Sequence, residues 1–450
     1  MTGRHVAIVG GGFTGTLLAI NILRHGGPSV TIIERRPQTG RGAAYSTIHP
    51  EHLLNVRAGN MSALPDDPDH FVRWLDARAL QPSSGFVPRR IYGDYLGELL
   101  AEAVAQHGDR LRLVQGQVVD VDGAGAAMNL RLDDGRRIAA DVVALASGNL
   151  LPAAPHGLDP ATLSPGCYVP DPWCIDIASD LAPDDNMVVL GTGLTMVDVA
   201  LLMDARGFEG RILALSRRGL APREHVHGGV PGGRSERPRP TAIAATRALR
   251  ARSREVDWRV AVDDLRPFTQ SLWRAMALPE RQRFLRHLRP WWDVHRHRIA
   301  PHVAERLQRM QREGRLEIVA GRLVSATPTA AGVEVRYRPR GGDDIRTLTA
   351  RRLVNGTGPQ GDLATTSDPL LAALHRRGML RPDPLHIGID VDQDSRAIDT
   401  AGGASDSLLV LGPMTRGAFW EIIAVPDIRR QVWSVARRLA NAQWVEGDGL

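Results

Sequence analysis

One pattern of apolar and polar positions occurs twice along the chain. Val6-Ala7-Ile8-Val9 is an unbroken apolar run and predicts a buried β-strand, and it stops at Gly10-Gly11-Gly12-Phe13-Thr14-Gly15. Leu17, Leu18, Ile20, Ile22 and Leu23 then predict a helix, and Val30-Thr31-Ile32-Ile33 predicts a second strand ending on Glu34. The same order returns later. Met187-Val188-Val189-Leu190 predicts a strand, Gly191-Thr192-Gly193-Leu194-Thr195 a glycine turn, Val197 to Met203 a helix, and Ile212 to Leu215 the next strand. Each unit precedes a β-meander. The first meander runs from 111 to 148 through Leu113-Val114, Val118 to Val121 and Leu130 to Leu132. It closes on Val142 to Ala146 with Ser147-Gly148. The second, 317–358, closes on Val354-Asn355-Gly356-Thr357-Gly358. This internal repeat predicts an α/β protein with two copies of one plan.

The remaining stretches fit around the repeat. Residues 69–107 predict two helices, the second opening at Pro88. Residues 150–186 are rich in Pro, Asp and Gly and predict an interdomain connection. Gly228 to Pro240 reads as a mobile lid, and a helical insert over about 236–312 has no counterpart in the first copy. Leu408 to Leu411 predicts a last buried strand opening at Gly412, with a final helix from about Pro426.

The glycine turns carry the chemistry. Gly10, Gly12 and Gly15 form G-x-G-x-x-G between a strand and a helix. There the glycines permit a tight turn, close approach to a pyrophosphate and close helix packing. The helix N-terminus offers free N–H groups to the phosphates. Glu34, 19 residues after Gly15, stands where an acid accepts hydrogen bonds from a ribose. The second copy differs at that place. Ser216-Arg217-Arg218 replaces the acid, which removes repulsion and adds cationic donors, so the second site is expected to prefer NADPH. Arg41, in the loop after the first unit, is placed to reach cofactor phosphates.

Composition excludes more than it identifies. At 450 residues the chain predicts two or three domains. The net charge is +6 with no lysine, and the arginines are scattered, so no nucleic-acid interface is expected. No apolar run reaches the roughly 20 residues of a membrane span. The first strand begins almost at the N-terminus, which leaves no room for a signal peptide and predicts a cytoplasmic protein. Cys167 and Cys174, seven apart, make neither a redox pair nor a metal knuckle. His295 and His297, two apart, cannot share one helix face, so no metal is expected. Within the insert, Arg296, His297 and Arg298 are candidates for touching NADPH or an anionic substrate, or form a solvated basic face.

The glycine turns, Gly40-Arg41-Gly42 with Tyr45, His52 to Val56 with Met61-Ser62-Ala63, Trp292 to Pro301 and Gly412 to Pro426 together resemble the bacterial FAD/NAD(P)-binding protein family. The chain is similar to flavoproteins with two dinucleotide-binding domains, of the flavin-dependent monooxygenase type. One departure is Arg57, where the family usually has proline after Asn-Val. The resemblance implies two Rossmann-like domains of three-layer ββα build, each with a β-meander insertion. The FAD domain is expected at 1–165 and 359–450, with the NADPH domain at 166–358 between. It implies FAD contacts at Gly10, Gly12, Phe13, Thr14, Gly15, Glu34, Arg35, Arg41, Asn55, Val56, Met61, Val118, Gly148, Gly412, Trp420 and Glu421. NADPH contacts are expected at Gly191, Thr192, Gly193, Leu194, Thr195, Ser216, Arg217, Arg218 and Gly358.

Two facing dinucleotides suggest hydride transfer from nicotinamide to flavin. The two cysteines rule out a redox pair on the first helix, as a disulfide reductase requires. The layout is similar to monooxygenases in which a peroxyflavin formed with dioxygen oxygenates a small nitrogen or sulfur substrate. The F-x-G-x-x-x-H signature of the Baeyer–Villiger branch is absent; Tyr168 to Trp173 stands in its place. A flavin reductase passing on its electrons, and a redox-sensing protein without turnover, are the alternatives. No catalytic side chain is singled out, and neither the substrate nor the oligomeric state is legible. Gly12→Val is expected to yield colourless apoprotein, because a branched side chain would occupy the pyrophosphate position; a variant that keeps bound yellow flavin would overturn the site.

Overall fold

A computed structural model describes residues 4–80, 85–124, 127–173, 176–226 and 236–442. Most of the expected lid, and Cys174, lie outside the described residues. In chain order the first part holds β1 (His5–Val9), α1 (Phe13–Arg24), β2 (Ser29–Glu34), α2 (Gly42–Tyr45), α3 (His70–Asp76) and α4 (Arg89–His107). There follow β3 (Leu111–Gln115), β4 (Val118–Ala124), β5 (Ala127–Leu132), β6 (Arg137–Ala140) and β7 (Val142–Leu145). The middle part holds β8 (Tyr168–Val169), β9 (Met187–Leu190), α5 (Leu194–Ala205) and β10 (Ile212–Ser216). Its helices are α6 (Ala242–Arg252), α7 (Trp258–Leu265), α8 (Thr269–Ala275), α9 (Leu278–Arg283), α10 (Arg289–Arg296) and α11 (Pro301–Arg312). β11 (Leu316–Thr329), β12 (Gly332–Pro339), β13 (Arg346–Ala350) and β14 (Arg352–Asn355) follow. The chain ends with α12 (Pro369–Arg376), β15 (Arg396–Ile398), β16 (Ala404–Val410) and α13 (Val425–Leu439).

Two largely parallel sheets organise these elements. The first has the order β15-β16-β7-β1-β2-β3, so strands from residues 396–410 join those from the N-terminal part. The second has the order β13-β12-β11-β10-β9-β14-β8. In both, the apolar strand runs are buried, as strands covered on both faces must be. α1 is buried almost all round because it lies between its sheet and α13.

The meanders differ from the sequence expectation. Leu113-Val114 belongs to β3, which pairs in parallel with β2 at the sheet edge. Only β4, β5 and β6 form the first meander, as a separate three-stranded sheet. In the second copy one strand serves both layers. Leu316–Ala320 of β11 pairs in parallel with β10, while Gly321–Thr329 pairs antiparallel with β12, with a register shift between Leu323 and Ser325. Among the described residues no helix is long and apolar enough to cross a membrane.

Ion pairs join the parts that carry the two sheets. Arg306 on α11 reaches both Glu51 and Asp204. Arg89 at the start of α4 meets Asp198 on α5 at 2.8 Å, with Asp198 buried and Arg89 half-buried. Removing one partner of such a pair costs roughly 3–5 kcal/mol, because the other charge is left in a poorly solvated place. Burial raises the Asp198 carboxyl from 3.8 to about 6, against the opposing pull of Arg89. The folded chain therefore holds this proton more tightly than the unfolded one. The resulting stability is full below 3.8 and is lost as pH rises through about 6. Asp198→Asn mimics the protonated form at every pH. Its urea midpoint, relative to wild type, is expected to be higher at about pH 7 than at about pH 4.5; an equal difference at both would show that Arg89 cancels the burial.

Candidate functional site

The first glycine turn is built by close approach. Gly10 has φ +104°, and a Cβ there would lie 2.4 Å from the Ala146 carbonyl oxygen. A Cβ on Gly15 would lie 1.9 Å from the Gly10 oxygen. No other residue lets β1, β7 and α1 converge. α1 starts at Phe13 without a side-chain cap, so its first N–H groups and positive dipole end lie free just past the C-terminal end of β1. The loop after β2 lies on this turn: Gly40 N donates to Gly11 O at 2.7 Å, and a Cβ on Gly42 would lie 2.9 Å from Gly12 Cα. Thr14 faces the C-terminal segment, where a Cβ on Gly412 would meet Thr14 Oγ1 at 2.7 Å. Gly10, Gly12, Thr14, Gly15 and Gly412 thus come together around one bare-backbone cradle. Gly148, just past β7, has φ +74° with no neighbour within 4 Å of a Cβ. Such a cradle, with free N–H groups and open space, fits a dinucleotide phosphate.

Several expected contacts take another part. Glu34 is buried, and its Oε2 accepts from Gly11 N at 2.7 Å while Oε1 accepts from Arg36 N at 2.9 Å. The acid braces the turn with both oxygens, and any ribose contact uses a remaining lone pair. Arg41 turns onto Asp94 of α4 at 2.5 Å, and exposed Arg35 stands 3.9 Å from Asp368. The Phe13 ring is core, packed with Tyr45 and Tyr92. Val118 and Met61 are buried core side chains as well. Val56 is half-buried, and the Asn55 carbonyl accepts from His225 Nε2 at 3.1 Å. Arg57 keeps a proline-like backbone, φ −63° and ψ 145°, and its Nη2 donates to Val226 O at 2.7 Å.

The segment after β16 joins this cradle to the helical insert. Arg416 is buried, donating to Pro413 O and to Asn149 Oδ1, both at 3.1 Å. Burial lowers its guanidinium to about 10, so it stays charged near neutral pH. Trp420 stacks on Trp273 with centroids 4.6 Å apart. Glu421 has φ +68° and accepts from Trp292 Nε1 at 2.5 Å and from Arg296 Nε at 2.8 Å. Burial opposes its ionisation, but Arg296, His297, the Trp292 indole and Arg266 outweigh burial and hold the carboxyl below its ordinary value. The Glu421 carboxylate therefore anchors the insert. Arg296 is committed to it, and Arg298 is committed to both oxygens of Asp263 at 2.6 and 2.7 Å. Arg416, Asn149 and Trp273 carry no motif that marks them in the sequence; only the density of tryptophan in the insert and at Trp420 hinted at a ring cluster.

The second turn repeats the close approach. Gly191 has φ +118°, and a Cβ there would lie 2.1 Å from Gly356 O. α5 opens at Leu194 and Thr195 after Gly193, again without a side-chain cap, and nothing lies within 4 Å of a Cβ on Gly193 or Gly358. Thr192 Oγ1 donates to Leu220 O at 2.5 Å, so the Ser216 hydroxyl, 2.9 Å away, donates to Thr192. Ser216 Oγ also accepts from Gly219 N at 3.0 Å. Ser216 therefore folds the corner, and any ligand contact uses its remaining lone pair. Arg218 donates to the carbonyls of His287 and Arg286, each at 3.2 Å. Arg217 is exposed and has no side-chain partner among the described residues.

Residues 7–150 match the family model for FAD-NAD(P)-binding domains. A search of the curated proteins by sequence finds no match. Among solved structures, the ornithine hydroxylase of Pseudomonas aeruginosa in its reduced form is 14% identical, with a TM-score of 0.68 over 98% of this chain and 99% of that one. The L-lysine 6-monooxygenase of Pseudomonas syringae is 18% identical, with a TM-score of 0.67 over 98% and 99%. An ornithine N-hydroxylase of Kutzneria sp. 744, determined with reduced FAD, NADP+ and L-ornithine, is 16% identical, with a TM-score of 0.65 over the same shares. The chain thus carries an FAD-NAD(P)-binding domain at its N-terminus, within the fold of the flavoproteins that have two dinucleotide-binding domains.

Proposed function

We propose that the protein is an FAD-dependent, NADPH-using monooxygenase that hydroxylates an amine nitrogen of a small molecule. The observation that carries this reading is the pair of uncapped glycine turns whose second-strand corners differ in charge. Glu34 stands at the first and exposed Arg217 at the second. An acid suits an adenosine ribose, and a free guanidinium suits a 2′-phosphate. The likeness to amine-hydroxylating flavoenzymes over nearly the whole chain supports the same reading. When bound, the two cofactors supply hydride transfer and the activation of dioxygen. In balance, the amine, dioxygen, NADPH and a proton give the hydroxylamine, NADP+ and water.

The chain's own residues bind, orient and shield. The Gly10–Gly15 turn and α1 hold one pyrophosphate, and Gly191–Gly193 with α5 holds the other. Trp420, Trp273 and Phe284 form a ring cluster beside the segment that touches the first turn. Such a cluster excludes water from the neighbouring chemistry.

Arg217→Ala is expected to raise KM for NADPH about tenfold, the loss of one charge-assisted hydrogen bond, and to leave KM for NADH nearly unchanged. Arg218→Ala should change the ratio far less, since its guanidinium serves the insert; equal effects on both cofactors would remove Arg217 from the site. The reading itself is tested by anaerobic mixing of the flavin-loaded protein with NADPH, then oxygen, with and without an amine. Expected are flavin bleaching and, by mass spectrometry, gain of one oxygen by the amine. Bleaching with hydrogen peroxide as the sole product across an amine panel would favour a reductase, and no bleaching would sink the enzyme assignment.

A further inference from the structure

The helical insert and Trp420 line an open cavity of about 470 Å³, within the range of roughly 300–1,000 Å³ that takes small organic ligands. Its walls are rings: Trp258, Trp273, Phe284, Trp291, Trp292 and Trp420. Among the described residues the lining holds no aspartate or glutamate, although Arg250, His287 and His295 are part of it. The polar edges of two walls are committed elsewhere. Trp273 Nε1 donates to Gly417 O at 2.8 Å, and Trp292 Nε1 donates to Glu421. Trp291, 46% exposed, stands at the mouth. Trp420, at the inner end, lies on the segment that reaches the first glycine turn through Gly412 and Thr14.

We propose that this cavity binds the substrate and that the substrate is a hydrophobic, ring-bearing amine held in its neutral form. The inference rests on the monooxygenase reading for the word substrate, and on the cavity alone for the ligand class. An ammonium entering this space would lose water without gaining a carboxylate, which is strongly unfavourable. Tryptophan faces can hold a cation, but the protein's own guanidiniums already lie over two of these rings, Trp273 and Trp258. Arg281 lies 5.4 Å from the Trp273 ring, and Arg259 and Arg298 lie 4.4 and 6.0 Å from Trp258. Arg259 and Arg298 are paired with carboxylates, but Arg281 and Arg250, which have no carboxylate partner among the described residues, make the surroundings repel a second cation. A neutral ring gains area burial and edge-to-face contacts at no such cost. A neutral nitrogen also keeps the lone pair that oxygenation requires. The site is thus unsuited to the amines of free diamino acids.

Calorimetric titration of the flavin-loaded protein near neutral pH tests this, with 4-butylaniline as the neutral aryl amine and L-lysine and L-ornithine as charged ones. The aniline is expected to bind at least about tenfold more tightly than either amino acid, the margin set by ammonium desolvation. Ala245→Trp, which fills the cavity from α6, should weaken aniline binding by a similar factor, about tenfold, provided the thermal midpoint shows a folded variant. The wild-type selectivity stands as a test even if that variant fails to fold. Equal or tighter binding of L-lysine, or displacement of the aniline by NADP+, would overturn the proposal. Aniline binding without flavin reduction by NADPH would sink the monooxygenase reading and leave the ligand class standing. Flavin reduction without aniline binding would do the reverse.

Discussion

Everything in this molecule hangs on backbone passing backbone without side chains between. At Gly10 and Gly15 the spaces for a Cβ are 2.4 and 1.9 Å from carbonyl oxygens, and at Gly191 the space is 2.1 Å. Steric exclusion at these distances is absolute. Because three strand and helix ends converge there, each parallel sheet ends in a patch of bare amide with an uncapped helix behind it. The loop at Gly40–Gly42 and the segment at Gly412 then close on the same patch, so one constraint assembles residues from both ends of the chain.

A second level of organisation is electrostatic, and burial decides which pairs matter. Arg24–Asp66, with side chains 34% and 38% exposed, is of the kind that contributes about 0–1 kcal/mol. Arg296–Glu421, 8% and 4% exposed, is different: neither charge has water to return to if the other leaves. With Trp292 and the Trp273–Gly417 hydrogen bond, this pair sets the angle of the insert on the C-terminal segment. The cavity's shape follows from that angle.

The parts of the fold read from sequence were those with local causes. The strand–glycine–helix units announce themselves because apolar period and glycine spacing act within about 15 residues of each other. The pairing of Leu113-Val114 was not legible, since a short alternating run is the same whether its neighbour is parallel or antiparallel. Side-chain partners failed for a different reason. Arg41 finds Asp94 across 53 positions, and Arg296 finds Glu421 across 125. Ser216-Arg217-Arg218 was legible as a charge change. Which of the three faces outward depended on Thr192 and the carbonyls of His287 and Arg286, supplied by other elements.

The 14-residue strand β11 gives the two halves of the molecule a different build. In the N-terminal half the meander is a separate sheet, held to the parallel strands by packing, with Val121, Met128 and Leu130 buried in the same core. In the other half the same strand is hydrogen-bonded to β10 at one end and to β12 at the other. In that half, parallel core and meander are one continuous hydrogen-bonded sheet. The outer hairpin and the strand that ends beside Arg217 therefore share one backbone ladder, offset only at the register shift between Leu323 and Ser325.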